Sequence, residues 1–396
     1  MSLIDFIRKH PFFTVYCFII IFLFPGVYYK SGYQFFDELI LHLVAFILIY
    51  FLLHKYLPSL PAKVNLFTGD KFKTLTEYLP NAALILVALF VVFHFVHLGF
   101  LPLLASAQSD NIVDIALIRQ NVTVQSSGWV NYLSSFIMRA VIPFFIVYSC
   151  IAQKKTYFIA WVIVAVFYAL NLIQKSHIVM AFVPLSLYFF LNRNYFKSAA
   201  VMLIPVIGVY FLVILTNPGK VSQQDQQVEL TAQEQLNKSS ESLARRLMIV
   251  PGKTVGDWFL LIPAEYPFLN GCGYRFSKIF GCEYTEYSKL FYPRLYPHYA
   301  VKGLKGTVNV ASFMYEYSNF GKIGLVLGAL IIALLFITVQ KLFANEFVWL
   351  MVFNFFPALM LSSKSFTTLL FSGGWGLTIL LFFLFRDKLI VADNAN

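Results

Sequence analysis

The chain has 396 residues, 59% of them hydrophobic and only 12% charged, with a mean hydropathy of +0.72 and a formal charge of +11. Those values lie far from soluble globular averages and exclude a soluble domain. The apolar runs are continuous rather than alternating, so a closed barrel is excluded as well, which leaves an all-α integral membrane protein.

About ten transmembrane helices (10–12) are predicted. The first follows the basic start MSLIDFIRKHPFF and covers about 12–29; it ends in FPGVYYKSGY without a small-residue cleavage site, so it reads as a retained span. Further spans are expected at about 35–54, 80–100, 133–152, 156–173, 176–192 and 196–216, then at 320–341, 345–361 and 366–385. The chain divides accordingly into a seven-helix part (1–216, with a medium outer loop at 101–132), a long outer loop (217–319) and a three-helix part (320–396). An additional pair of half-spans around 256–269 or 306–318 is compatible with the pattern.

Basic residues orient the spans, because Lys and Arg in short loops are retained on the cytoplasmic side. With the N-terminus inside, the inner segments hold pairs such as Arg8 and Lys9, Lys154 and Lys155, and Arg386 and Lys388, together with Lys55, Lys63, Lys71 and Lys73. The short outer loops hold only Lys30, Arg119, Lys175 and Lys364. Both termini are therefore expected in the cytoplasm. The positive charge is chiefly a topology signal and does not point to nucleic acid.

The long loop opens with a polar segment, NPGKVSQQDQQVELTAQEQLNKSSESLARRLM, and later interleaves bases with aromatics in YRF and SKLFYPRLYPHY. Two readings fit that second half. One is an interfacial belt, with Tyr at headgroup level and cations on lipid phosphate. The other is a carbohydrate and phosphate site, with rings on sugar faces and Arg forks on a diphosphate. Cys272 and Cys282 in GCGYRFSKIFGC are either two free thiols or, in an oxidising compartment, one disulfide. No Walker A loop, dinucleotide fingerprint, H-E-x-x-H or D-x-D pair occurs, so neither a cofactor nor a metal is expected.

Four stretches, taken in order, resemble the Wzy-type O-antigen polymerases and the related WaaL-type O-antigen ligases. The medium loop GFLPLLASAQSDNIVDIALIRQNVTVQSSGWVNYL is similar to a family loop with an Arg near its middle. QKSH at Gln174–His177 is similar to a short outer turn that carries a base beside a Ser, with Lys175 where Arg is commoner. RRLMIVPG followed by GDWF and NGCGY resembles the family's Arg, Pro and Gly-x-Gly pattern. GTVNVASFMYEYSNFGKIGLVLG resembles its Asn-bearing approach to the next span. Val308 stands before Asn309 where the ligases carry His, which favours the polymerase.

The resemblance implies a metal-independent glycosyltransferase in the bacterial inner membrane. It would join undecaprenyl-diphosphate-linked oligosaccharides on the periplasmic face, among membrane lipid and alongside a chain-length regulator protein. Such chemistry needs cations for the leaving diphosphate and a proton acceptor for the attacking hydroxyl. Lys175, Arg245, Arg246 and Arg119 are the expected diphosphate ligands. Arg139, Arg275, Arg294 and Asn309 are expected to touch substrate, although Arg139 could instead snorkel from its span. His298 and Glu316 are the expected catalytic residues, each with an ordinary structural role as the alternative. An O-antigen ligase, another glycosyltransferase of lipid-linked sugars, and a polysaccharide flippase or secondary transporter are the rival readings; the transporter is disfavoured because no internal repeat is visible.

Overall fold

The computed structural model describes residues 2–57, 70–109, 112–124, 128–216, 240–241, 244–246, 248–344 and 346–394. Among them there are helices and turns but no strands. Among the described residues, seven helices are long and apolar enough to cross a membrane: Pro11–Ser31, Phe36–Tyr56, Thr74–Leu98, Gly128–Ile151, Tyr195–Leu215, Ser312–Leu342 and Phe366–Asp393. Lys155–Asn171, Lys175–Leu191 and Phe347–Ser362 are shorter apolar helices. Every span expected from hydropathy meets one of these segments. The protein is an all-α, multi-pass membrane protein. Lys63 and most of the polar start of the long loop lie outside the described residues.

Contacts gather the chain into two compact units. The first comprises Met1–Ala62, Leu236–Leu350 and Pro357–Leu369; the second comprises Lys63–Gln235, Met351–Phe356 and Leu370–Asn396.

In the first unit, Gly32 at φ +61° turns the chain from the Pro11–Ser31 helix back into Phe36–Tyr56. Aromatic rings fill the seam between them: Phe24 on Phe36 and Phe13 on Phe46. Two of the polar side chains buried in it, Tyr16 and His42, are paired internally, as lipid favours. The Tyr16 hydroxyl lies 2.8 Å from His42 Nε2, and His42 Nδ1 lies 2.8 Å from the Leu325 carbonyl. Phe36–Tyr56 and the later part of Ser312–Leu342 run in the same direction, since Glu38 meets Lys322, His42 meets Leu325 and Tyr50 donates to Gln340.

The helix Val250–Leu261 lies on the C-terminal half of Pro11–Ser31 at backbone contact. A Cβ on Gly252 would stand 2.1 Å from the Leu23 carbonyl, and one on Gly26 would stand 2.3 Å from that of Ile249. Only glycine allows that approach, as in the small-residue seams of membrane helices. Asp257, 2% exposed, bridges the pair through Lys30 at 2.7 Å and Lys253 at 3.1 Å. Of the additional half-spans considered at 256–269, only the first residues are helical.

The second unit holds its spans together with side-chain hydrogen bonds. His94 Nδ1 lies 2.8 Å from the Tyr168 hydroxyl, which donates to Ser134 at 2.7 Å. Ser186 pairs with Ser198 at 2.9 Å, and the Trp375 indole donates to Asn354 at 2.7 Å. The span Gly128–Ile151 is not a continuous α-helix: Ile137–Val141 forms a π turn, and Arg139 lies on it. The last expected span is also interrupted, by Gly374 at φ +83° before the helix Trp375–Asn394.

Candidate functional site

The helix Ser312–Leu342 is two limbs rather than one rod. Phe320 and Gly321 leave helical geometry, with Gly321 at φ +60° and ψ −137°, a conformation that suits glycine. The chain reverses there. A Cβ on Gly324 would stand 2.0 Å from the Glu316 carbonyl, and one on Gly328 would stand 3.2 Å from the Cβ of Phe313. These pairings run in opposite directions along the sequence, so the short limb 312–319 folds back antiparallel on the long one. Of the segment 306–318 considered as a half-span, the part from Ser312 is helical, and it starts eight residues before the expected span.

Both ends of the short limb are tied down. At its start, Ser312 Oγ accepts the Phe366 N–H at 3.0 Å, and Phe313 stacks on His42 with centroids 4.3 Å apart. At its end, the carbonyls of Ser318 and Asn319 would be orphaned by the break. The N–H groups of Leu269 and Asn270 bond to them, each at 2.9 Å. The Asn319 side chain continues the same clasp: its Oδ1 accepts from Gly271 at 3.1 Å and Gly273 at 3.0 Å, while its Nδ2 donates to the Tyr315 carbonyl at 2.8 Å.

Glu316 lies on this limb and is 3% exposed. Its carboxylate accepts a hydrogen bond from the Tyr274 hydroxyl, the partner it has among the described residues. Burial, and then the negative charge of Glu316, push the Tyr274 hydroxyl well above its ordinary range, so it stays protonated and donates. Tyr274 comes from the loop that Cys272 and Cys282 close: the two form a disulfide with Cα atoms 5.7 Å apart.

None of the other expected residues of the first unit hydrogen-bonds to that carboxylate among the described residues. Arg294 forks onto Glu265 with both bonds at 2.9 Å, and this holds the Glu265 carboxyl below its ordinary range. Arg275 is exposed and donates to Tyr284, near Glu286 and Lys289. Arg245 donates to the Tyr29 hydroxyl at 3.2 Å and lies over its ring, and Arg246 beside it is exposed. His298 is exposed in the short helix Pro297–Ala300 with its ring against Tyr299, and Asn309 is exposed and takes the Thr307 hydroxyl at 3.4 Å.

Arg119, Arg139 and Lys175 belong to the second unit. Arg119 is exposed on Ile112–Val124, and Lys175 begins Lys175–Leu191, two residues before the buried His177. Arg139 is half-buried, and its Nε has no hydrogen-bond partner among the described residues.

Sequence reasoning missed Tyr274, Asn319 and Asp257. The motif NGCGY held the signal for the first, since its glycines permit the close turn: a Cβ on Gly273 would lie 2.7 Å from the Asn319 amide. Beside this clasp, between the starts of Phe36–Tyr56 and of the long limb, lies a largely apolar cavity of about 640 Å³ walled by Phe35, Phe259, Phe268, Tyr317 and Phe320, with the Glu38–Lys322 ion pair at 3.2 Å in its lining. Comparison with protein-family models, with curated proteins and with solved structures finds no match to the chain.

Proposed function

We propose that this chain polymerises undecaprenyl-diphosphate-linked oligosaccharide repeat units on the periplasmic face of the bacterial inner membrane, by glycosyl transfer without a metal. The observation that supports this reading most is Glu316: a carboxylate out of water, on a limb folded back along a membrane span, oriented by a tyrosine hydroxyl. Desolvating a carboxylate is costly, and such sites are where proton-transfer groups are found. In this reading the acceptor sugar hydroxyl attacks the anomeric carbon of the donor and its proton passes to Glu316. The anomeric C–O bond to the diphosphate breaks as the new glycosidic bond forms, and the lipid diphosphate leaves as an anion. Arg245 and Arg246 supply positive charge for it from the same unit, as exposed guanidinium groups.

A transporter reading keeps some support from the folded-back limb and from Arg139 on its π turn, because broken helices and intramembrane charges also build transport sites. Complementation separates the two. In a strain deleted for this chain, surface glycan should collapse to single repeat units, and the chain should restore a ladder that the Glu316→Gln variant does not. Repeat units trapped on the inner leaflet of the deletion strain would favour the transporter. An unchanged ladder without the chain would remove the polymerase reading altogether.

A further inference from the structure

We propose that Tyr274 is a positioning residue for Glu316, delivered by a loop whose geometry depends on the Cys272–Cys282 bond, so that transfer is sensitive to reduction of that disulfide. The inference rests on the reading of Glu316 as the proton acceptor.

Three independent features converge on the Tyr274 hydroxyl. The loop backbone is pinned to the short limb on one side, through Gly271 and Gly273 on Asn319. On the other side the disulfide draws residue 282 back to residue 272, and Thr285 N–H bonds to the Cys272 carbonyl at 2.9 Å. The ring itself is held in an aromatic stack, parallel to Phe276 within 2° at 5.0 Å and beside Phe320 at 6.2 Å. Gly271, at φ +97°, leaves room for no side chain: a Cβ there would stand 2.5 Å from the Phe280 ring. A loop whose sole task was to cover the limb would not need so many restraints ending at one hydroxyl on one carboxylate. Among the described residues the Glu316 carboxylate has this one donor, which fixes the way it faces and leaves its other oxygen for an incoming sugar hydroxyl.

Because Tyr274→Phe keeps the stacked ring and removes only the hydroxyl, it isolates positioning from folding. In detergent-permeabilised membranes, with lipid-linked units extracted from the deletion strain as substrate, kcat should fall about tenfold or more while KM stays within about twofold, since one charge-assisted hydrogen bond acting in the transition state is lost. Membrane abundance should match the unaltered chain, and the melting temperature should fall by no more than the loss of one buried hydrogen bond explains. Reduction with a phosphine, its completeness shown by thiol labelling, should lower kcat of the unaltered chain, and should have no effect on a Cys272→Ser, Cys282→Ser variant that starts from a lowered kcat. An inactive Glu316→Gln together with a Tyr274→Phe of normal kcat would overturn the positioning role and leave the base intact. An active Glu316→Gln would overturn the base and this inference with it. A Tyr274→Phe change confined to KM or melting would mark a structural residue and also overturn the role. If that variant does not accumulate, full reduction without loss of kcat in the unaltered chain overturns the proposal by itself.

Discussion

Gly324 lies directly under the backbone of Glu316, so close that a Cβ at the glycine would stand 2.0 Å from the Glu316 carbonyl oxygen. The obstacle would be backbone, which cannot swing aside as a flexible side chain can. Gly324→Ala should therefore lift the short limb, at about 1–3 kcal/mol, the usual cost of overpacking. Thermal melting in detergent should show the loss, and an unchanged melt would mean that the two limbs do not touch there.

Glu316→Gln preserves size and can still accept from Tyr274 but cannot take a proton. Loss of general-base catalysis typically costs about 10²–10⁴-fold. Glycan chains longer than one unit should vanish at matched membrane levels of the variant. A normal ladder would remove Glu316 from the chemistry.

Arg246→Ala should abolish polymer while the protein stays in the membrane, and Arg246→Lys should recover only part, because an ammonium keeps charge and loses the two-pronged geometry. Arg245 already leans on Tyr29, which suits an anchor at the interface. Wild-type polymer length in the Arg245→Lys, Arg246→Lys double variant would assign both to anchoring on lipid.

Asp257 is buried between Lys30 and Lys253. Asp257→Ala leaves two partly exposed ammonium groups facing each other across the glycine seam. Removing one partner of a buried pair costs about 3–5 kcal/mol, and the exposure of the lysines lowers this to about 1–2 kcal/mol here. Limited proteolysis should cut the variant faster near Val250–Leu261; equal rates would show that the seam holds without the carboxylate.

The Arg294–Glu265 fork sets a pH dependence. Arg294 depresses the Glu265 carboxyl below its ordinary 4.5, so the folded state prefers the ionised form. Its contribution is complete above that ordinary value and is lost as pH falls through the depressed one. The melting-temperature difference between the unaltered chain and Glu265→Gln should thus be constant near neutrality and shrink toward zero in strong acid. A difference that grew on acidification would contradict the pairing.

Hydropathy made the spans legible because lipid imposes length and apolarity on each one separately. The pairing of Cys272 with Cys282 was one of two readings of their spacing, and the bond is formed. Glu316 could be singled out by its place beside a span. Its depth could not, because MYEYSNFGKIGLVLG reads equally well as the start of a straight helix, and the reversal rests on the positive φ of Gly321. Asp257 looked like one more charge in a loop, since its burial depends on a backbone contact between glycines at 26 and 252. Tyr274 was hidden for a related reason: a tyrosine in a tyrosine-rich segment becomes distinctive only when a carboxylate far along the chain is folded against it.

The glycine-rich turn at NGCGY has a consequence for how an anion could be held. Successive backbone N–H groups in such turns commonly make a nest for phosphate. Here the Gly271 and Gly273 donors are occupied by Asn319, and those of Leu269 and Asn270 by the end of the short limb. The turn is closed to an incoming phosphate. In the proposed reading, side-chain charge holds the diphosphate instead, where single substitutions can retune affinity without unmaking the turn that holds the limb.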